Sequence, residues 1–347
     1  MGFSPLDRQL QLVKHSWSPE TIQQAVSLAI QIPSYPRAAR SFQGLTRIPL
    51  SKSSLQGLVV EYGGRLVAAQ AQEAHAMVQM PDGVAEGEAW RAIPEPDSPV
   101  MAVAMDGAMI HVRGEGGKET KVVAISAVET GDSAAGSERP AVELRQTSYR
   151  AGLWDAASFG SQQWAEACRR GLEKAEQVVC VNDGAPWLWL IVALCYVPCI
   201  EVLDWWHAVQ KLWELAFLLL GAENEASPTW AEQQKSLLWA GQLRQIFRQL
   251  RLLCPRGQAL PDKVRQSIGY LFRHRQRMRY PEFRHAGYPI GSGSVESACK
   301  VVIQERLKQA GMSWSRTGAQ AMLALRSVLL SERWTEVWPS LAPPKLT

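Results

Sequence analysis

The feature that most constrains this chain is a change of hydrophobic period at Val100. Upstream of it, Ile22, Ala25, Val26, Ala29 and Ile30 recur at helical spacing. From Val100 to Val112 and from Lys121 to Val128 the chain instead carries short branched apolar runs, parted by Gly114-Glu115-Gly116-Gly117, which predicts a hairpin. Ala141 to Tyr149 supplies a third strand after a loop from Gly131 to Pro140. A helical pattern from Trp154 to Glu176 follows, then an apolar run, Gln177 to Val181, ending at Asn182-Asp183-Gly184. A helix from Ala185 to Tyr196 and a strand from Cys199 to Leu203 complete the series. Such alternation calls for a sheet covered by helices.

Three strands, helix, strand, helix, strand is the order of a ribonuclease H-like core. The expected fold class is therefore α/β, a ribonuclease H-like mixed sheet flanked by helices, with an N-terminal helical domain and an all-helical insertion. Ser18-Pro19-Glu20 starts a helix with a hydroxyl cap, proline at the first position and an acid in the first turn. A second helix from Pro36 to Leu45, a turn to Leu50 and a third helix from Ser51 give a helix-turn-helix order, which a bracing helical bundle would match equally well. Residues 1–79 then form a helix-turn-helix-like DNA-binding region, and the Pro-, Gly- and acid-rich residues 80–99 a linker. Residues 100–207 form the first part of the core, 208–287 the helical insertion, and 288–347 the second part of the core. Within the insertion, helices are expected over Ala208 to Leu220, Trp230 to Leu253 and Lys263 to Met278. Beyond it they are expected over Ser294 to Ala310 and Thr317 to Leu330.

Hydrophobic residues make up 46% of the 347, enough for a substantial core, and the formal net charge of +4 does not by itself define a polyanionic partner. The six cysteines contain no C-x-x-C pair, which argues against a zinc ribbon or disulfide framework and for reduced, cytoplasmic thiols. No secretory signal opens the sequence, and the apolar run from Trp187 to Val197 is too short to span a bilayer, so no membrane association is expected.

The chemistry concentrates in three acids. Asp106 follows the apolar Val103-Ala104-Met105, Asp183 follows Val181-Asn182, and Glu296 lies in the string Tyr288-Pro289-Ile290-Gly291-Ser292-Gly293-Ser294-Val295-Glu296-Ser297-Ala298-Cys299-Lys300. A lone Asp-Gly is ordinarily a turn, and an acid in a first helical turn is ordinarily paired with the helix dipole and with Lys300 four residues on. The strand order changes that reading, because the first and fourth strands of such a sheet are neighbours. Three converging carboxylates repel one another unless a cation joins them. All-oxygen ligands favour Mg²⁺ or Mn²⁺, and two ions about 4 Å apart suit an in-line displacement at phosphorus.

Asp204 and His207, in Leu203-Asp204-Trp205-Trp206-His207, stand three apart where a strand runs into a helix and could face the same side as the carboxylates, a satisfied core histidine being an equally weighted alternative. Arg273, Arg275, Arg277, Arg279 and Arg284, interleaved with Tyr270, Phe272, Tyr280 and Phe283, are expected to form a DNA-binding track that Lys300, Arg306 and Lys308 would extend; a charge run is ordinarily a solvated helix face, but arginines with aromatics beside a phosphodiester site favour nucleic acid.

At these residues the chain resembles bacterial insertion-sequence transposases of the DDE class, most closely the Kra-type insertion-sequence family. Four strings carry the resemblance: residues 182–189, 203–208, 289–300, and Arg306-Leu307-Lys308-Gln309-Ala310-Gly311-Met312-Ser313-Trp314. It implies a ribonuclease H-like catalytic domain whose two aspartates and glutamate fall on Asp106, Asp183 and Glu296, with two Mg²⁺ or Mn²⁺ ions. Asp204 and His207 match the C/D-x-x-H motif of related transposases. The surroundings of Asp106 keep the Asp-Gly but depart from the usual Asp-Gly-Thr-type string, and the cysteine-rich, zinc-binding N-terminal region of longer members has no counterpart here. The implied activity is metal-dependent cleavage at element ends and strand transfer into target DNA. The partners would be terminal inverted repeats, target DNA and further copies of the chain, and the location the bacterial cytoplasm at the nucleoid. The rivals are a decayed or domesticated DNA-binding protein and a ribonuclease H-like resolvase or nuclease.

Overall fold

A computed structural model describes residues 17–78, 94–131, 141–254 and 259–342. The loop expected from Gly131 to Pro140 lies outside those residues except for Gly131, and of the expected linker, residues 80–99, only 94–99 are described.

Three helices come first: α1 (Pro19–Gln31), α2 (Tyr35–Thr46) and α3 (Lys52–Val78). The Ser18 and Ser34 side chains accept from Thr21 and Arg37 N–H, satisfying donors that a helix start leaves free. The sheet is built from β1 (Val100–Val112), β2 (Gly116–Gly131), β3 (Ala141–Gly152), β4 (Gln177–Asn182) and β5 (Ile200–Leu203). Its spatial order is β3-β2-β1-β4-β5, with β1, β2 and β3 antiparallel and β4 and β5 parallel to β1. This mixed, helix-covered sheet is ribonuclease H-like, as the order of elements predicts.

Both faces are buried, which explains why β1 and β2 read as nearly unbroken apolar runs. Side chains alternate across a strand, so Met101, Val103, Met105, Val123 and Ile125 enter one core while Ala104, Ile110, Val122 and Ala124 enter the other. The second core also takes in the apolar stripes of α1 to α3 and the C-terminal helices, so the N-terminal helices pack with the core rather than apart from it. The first core is closed by α4 (Ala156–Arg169), α5 (Pro186–Cys195), α6 (Trp205–Leu220) and the helices that follow.

Those are α7 (Ala226–Trp239), α8 (Leu243–Leu253), α9 (Asp262–Arg273), a 3₁₀ turn (Arg275–Met278) and α10 (Tyr280–His285). The single helix expected from Trp230 to Leu253 is thus broken. Gly241 adopts φ 71°, and the Ala240-Gly241-Gln242 turn folds α8 back on α7. The glutamate-bearing helix α11 (Gly293–Ala298) runs through a π-helical turn (Cys299–Gln304) into α12 (Glu305–Leu307), and α13 (Arg316–Leu330) and α14 (Trp334–Leu341) follow. No helix among the described residues is long and apolar enough to cross a membrane.

Candidate active site

The site forms where β1 and β4 part. Their backbone ladder ends at Val103 and Cys180, and the Asn182 side chain continues it, its Oδ1 accepting the Met105 N–H at 2.8 Å. That bond aligns the strand ends so that Asp106 and Asp183, the next residues on each, lie near enough for their charges to interact. Asn182 is wholly buried, and among the described residues its Nδ2 has no partner.

Asp106 is half-buried. Its Oδ1 accepts the Gly107 N–H at 2.6 Å and its Oδ2 the Cys299 thiol at 3.2 Å. Burial pushes the carboxyl above the usual carboxylate range; the Gly107 and Cys299 donors oppose this, the Asp183 charge adds to it, and His207 relieves it. Asp183 folds into a turn, its Oδ1 accepting the Ala185 N–H at 2.7 Å while its carbonyl accepts Trp189 Nε1–H at 2.7 Å. The insertion closes over this turn. A Cβ placed on Gly184 would stand 1.9 Å from the Tyr270 ring, so α9 sits directly on the glycine.

Asp204 caps α6. Its Oδ1 accepts the His207 N–H at 2.8 Å and contacts His207 Nδ1 at 2.9 Å, and its Oδ2 accepts the Ser292 N–H at 2.6 Å. Burial would raise its carboxyl, but the His207 ring, the Ser292 N–H and the His207 N–H outweigh burial and hold it below the ordinary range. The same hydrogen bond, donated by the ring to Asp204, raises His207, burial opposes it, and the charges of Asp204, Asp183 and Asp106 favour the imidazolium further. With Nδ1 on Asp204, the ring's other nitrogen is the one free to meet a ligand.

Glu296 arrives through the Ser292 tether. It is exposed, four residues beyond Ser292, whose Oγ lies 3.5 Å from Glu296 Oε1. One ligand atom each from Asp204, His207 and Glu296 falls within 4.8 Å of the others. One turn further on, Cys299 feels the charges of both Asp106 and Glu296, and burial together with those two carboxylates raises its thiol. Five of the expected site residues, Asp106, Asp183, Asp204, His207 and Glu296, therefore gather at one end of the sheet. Among the described residues, however, the tight group is Asp204, His207 and Glu296, and not Asp106, Asp183 and Glu296.

The expected basic track divides. Arg273, Arg275, Arg279, Lys300 and Lys308 are exposed, Arg279 pairing with Glu282 at 2.9 Å. Arg277 is half-buried, pairs with Glu201 at 2.6 Å and lies 3.9 Å from the Trp189 ring centre. Arg284 and Arg306 correct the expectation, for both are buried. Arg284 donates to the Tyr280 and Trp239 carbonyls and lies over the Trp239 ring, while Arg306 donates to the Ala29 carbonyl between the rings of Tyr35 and Trp314. Neither guanidinium can reach DNA; both brace the fold.

Asn182, Ser292, Tyr270 and His274, whose ring meets the Gly184 backbone, hold the site, a role the sequence did not assign to them. Asn182 and Ser292 stood out only as parts of turn strings, Tyr270 only as an aromatic among the arginines, and His274 left no signal.

The class that fold and site define is an α/β protein with a ribonuclease H-like sheet and an acidic cluster where β1 and β4 part, Asp106 standing in the middle of β1 beside the carboxyl ends of β4 and β5. No family model and no curated protein matches the chain. Among solved structures, a Drosophila P element transposase strand transfer complex is similar at TM-score 0.26 and 10% identity, covering 97% of this chain and 85% of that one.

Proposed function

We propose that the protein is a metal-dependent DNA transposase of the DDE class that cleaves strands at the ends of its element and joins them to target DNA. The observation that supports this is that Asp106 and Asp183, on neighbouring strands, lie near enough to feel each other's charge, with the compact Asp204–His207–Glu296 group beside them. The donor set fits a hard divalent cation: the ligands are carboxylate oxygens, and Asp106 is held above its usual range in a way that a cation would relieve. Asp106, Asp183 and Glu296 would hold Mg²⁺ or Mn²⁺, which when bound activates an attacking oxygen and stabilises a leaving one at phosphorus.

The chain's own residues supply the rest. Asp204 fixes the His207 ring by its Nδ1 and shifts it toward the imidazolium, leaving the ring's other nitrogen to meet a non-bridging phosphate oxygen. Asn182 holds the two aspartates in register, and Tyr270 closes over the Asp183 turn. The exposed Arg273, Arg275, Arg279, Lys300 and Lys308 would neutralise DNA phosphates, and strand joining would need at least two copies of the chain.

The test uses duplexes taken from the DNA that flanks the protein's own gene. With Mg²⁺, the protein should cleave one strand at a repeat end and join it to a second duplex. Glu296→Gln should abolish both steps while band-shift affinity stays within about two-fold, since one carboxamide replaces one carboxylate away from the arginines. Cleavage by Glu296→Gln at the parent rate would reject the assignment.

A further inference from the structure

The helical insertion carries a groove that the sequence did not announce. It lies between α8 and α9, encloses about 610 Å³, and has an aromatic and aliphatic floor that includes Phe247, Ile268 and Phe272. Its rim is formed by Arg244, Arg248, Arg251 and Arg275, and among the described residues no acidic one lines it. Arg244, Arg248 and Arg251 follow one another at helical spacing along α8, all are exposed, and among the described residues none has an ion-pair partner. In this respect they differ from Arg265, Arg277 and Arg279, each of which faces a carboxylate.

The floor is built for flat rings. Phe247 and Phe272 meet edge to face at 5.9 Å, Phe272 is 55% exposed, and the Arg275 guanidinium lies 4.4 Å from the centre of its ring. A row of cations beside exposed aromatic faces matches a sugar-phosphate backbone with its bases turned out. Duplex DNA meets only half of that chemistry, because pairing hides the base faces that an apolar floor would cover. An acidic amphipathic protein helix would satisfy charge and floor, but it gives no reason for the stacked guanidinium and ring.

The groove also has a defined place relative to the candidate site. Tyr270 of α9 and the following His274 meet the Asp183-Gly184 turn, while Ile268, Phe272 and Arg275 line the groove. One helix, about 10 Å across, therefore separates the two.

We infer that the α8–α9 groove binds an unpaired stretch of nucleic acid, with phosphates on Arg244, Arg248 and Arg251 and a base stacked on Phe272. This deepens the strand-transfer reading and rests on it for its setting: a strand leaving the acidic cluster would enter the groove within a few nucleotides.

The experiment measures binding of the full chain to a fluorescein-labelled oligothymidylate of about 20 nucleotides, and to a duplex of equal length, without divalent metal. Replacing all three α8 arginines (R244E, R248E, R251E) should weaken oligothymidylate binding by at least about ten-fold. It should also flatten the dependence of log K on log salt by about 2, at about 0.7 for each single-strand phosphate that no longer meets an arginine. Phe272→Ala, at an exposed ring whose removal leaves the core intact, should weaken oligothymidylate binding by about five- to a hundred-fold and duplex binding far less. Unchanged oligothymidylate binding in either variant overturns the inference, as does an equal loss for duplex and single strand with Phe272→Ala. Tighter binding of an acidic Glu-Leu amphipathic peptide than of oligothymidylate, abolished by the arginine replacements, would assign the groove to a protein and overturn it too. Single-strand binding by a protein that never cleaves DNA would leave the groove standing and sink the strand-transfer reading alone.

Discussion

The carboxylate of Asp204 accepts the backbone N–H of Ser292 at 2.6 Å, joining the end of β5 to the turn that carries Glu296. Two neighbouring bonds reinforce the join: the Asp204 N–H donates to the Asn182 carbonyl, and the Trp205 N–H to the Ile290 carbonyl. Ser292 lies 88 positions beyond Asp204, with the whole insertion between them. A single buried side chain thus brings the third acid to a sheet end that β1 and β4 have already prepared.

Asp204→Asn tests that strut. A carboxamide keeps the size of the side chain, but only its oxygen still accepts, so either Ser292 or His207 loses its acceptor. Leaving such a buried donor unmatched costs about 1–3 kcal/mol, which urea denaturation would register. Metal-dependent cleavage should fall further than stability does, since Glu296 and the His207 ring both lose their anchor. A variant with parent stability and parent cleavage would show that the strut is dispensable.

The fit of α9 on the Asp183 turn can be broken from either side. Gly184→Ala sets a methyl 1.9 Å from the Tyr270 ring, and overpacking of this kind costs about 1–3 kcal/mol. Tyr270→Ala removes the ring and makes room for the methyl. The double variant should then be more stable than the sum of the single effects, with a coupling of at least about 0.5 kcal/mol by denaturation. Strict additivity would mean that α9 does not press on the glycine.

Arg306 separates bracing from DNA contact. Arg306→Ala removes a donor to the Ala29 carbonyl and a cation held between Tyr35 and Trp314. Unfolding free energy should fall by about 2–4 kcal/mol, combining a buried charged hydrogen bond with cation–π attraction. The salt dependence of DNA binding should be unchanged. A flatter dependence with full stability would return Arg306 to the DNA-binding set.

The strands were legible in the sequence because a sheet buried on both faces demands continuous branched apolar residues, and β1 and β2 have them. Asp183, Asp204, His207 and Glu296 were legible because each sits just past a strand end or in a glycine-serine turn, where local chemistry is visible, whereas Asp106 stands in the middle of β1 and was marked by its Asp-Gly step. The basic track was not. Arginines close in sequence point in different directions on short helical turns, so Arg284 folds onto Trp239 while Arg275 stays in solvent. Conversely, Arg244, Arg248 and Arg251 are spread over two turns and never look dense along the chain, yet α8 aligns them. The break at Gly241 was hidden because one isolated glycine does not interrupt a helical period on paper.

His274 gives a dependence on pH with a definite sign. Burial, joined by the charges of Arg277 and Arg273, pushes its ring down to about 4 from an ordinary 6.5, while contact with the Gly184 backbone acts the other way. The folded chain therefore keeps the ring neutral where the unfolded chain would take up a proton. Between pH 6.5 and about 4 the unfolded state binds more protons, so stability rises with pH through that window. The contribution is complete above 6.5, is lost progressively as pH falls, and is exhausted near 4. His274→Gln, which cannot titrate, should show a shallower loss of stability across this window in parallel urea titrations. A ring that titrates near 6.5 by NMR, or a variant whose stability falls as steeply as the parent's, would show that His274 is not held neutral against Trp189 and Tyr270.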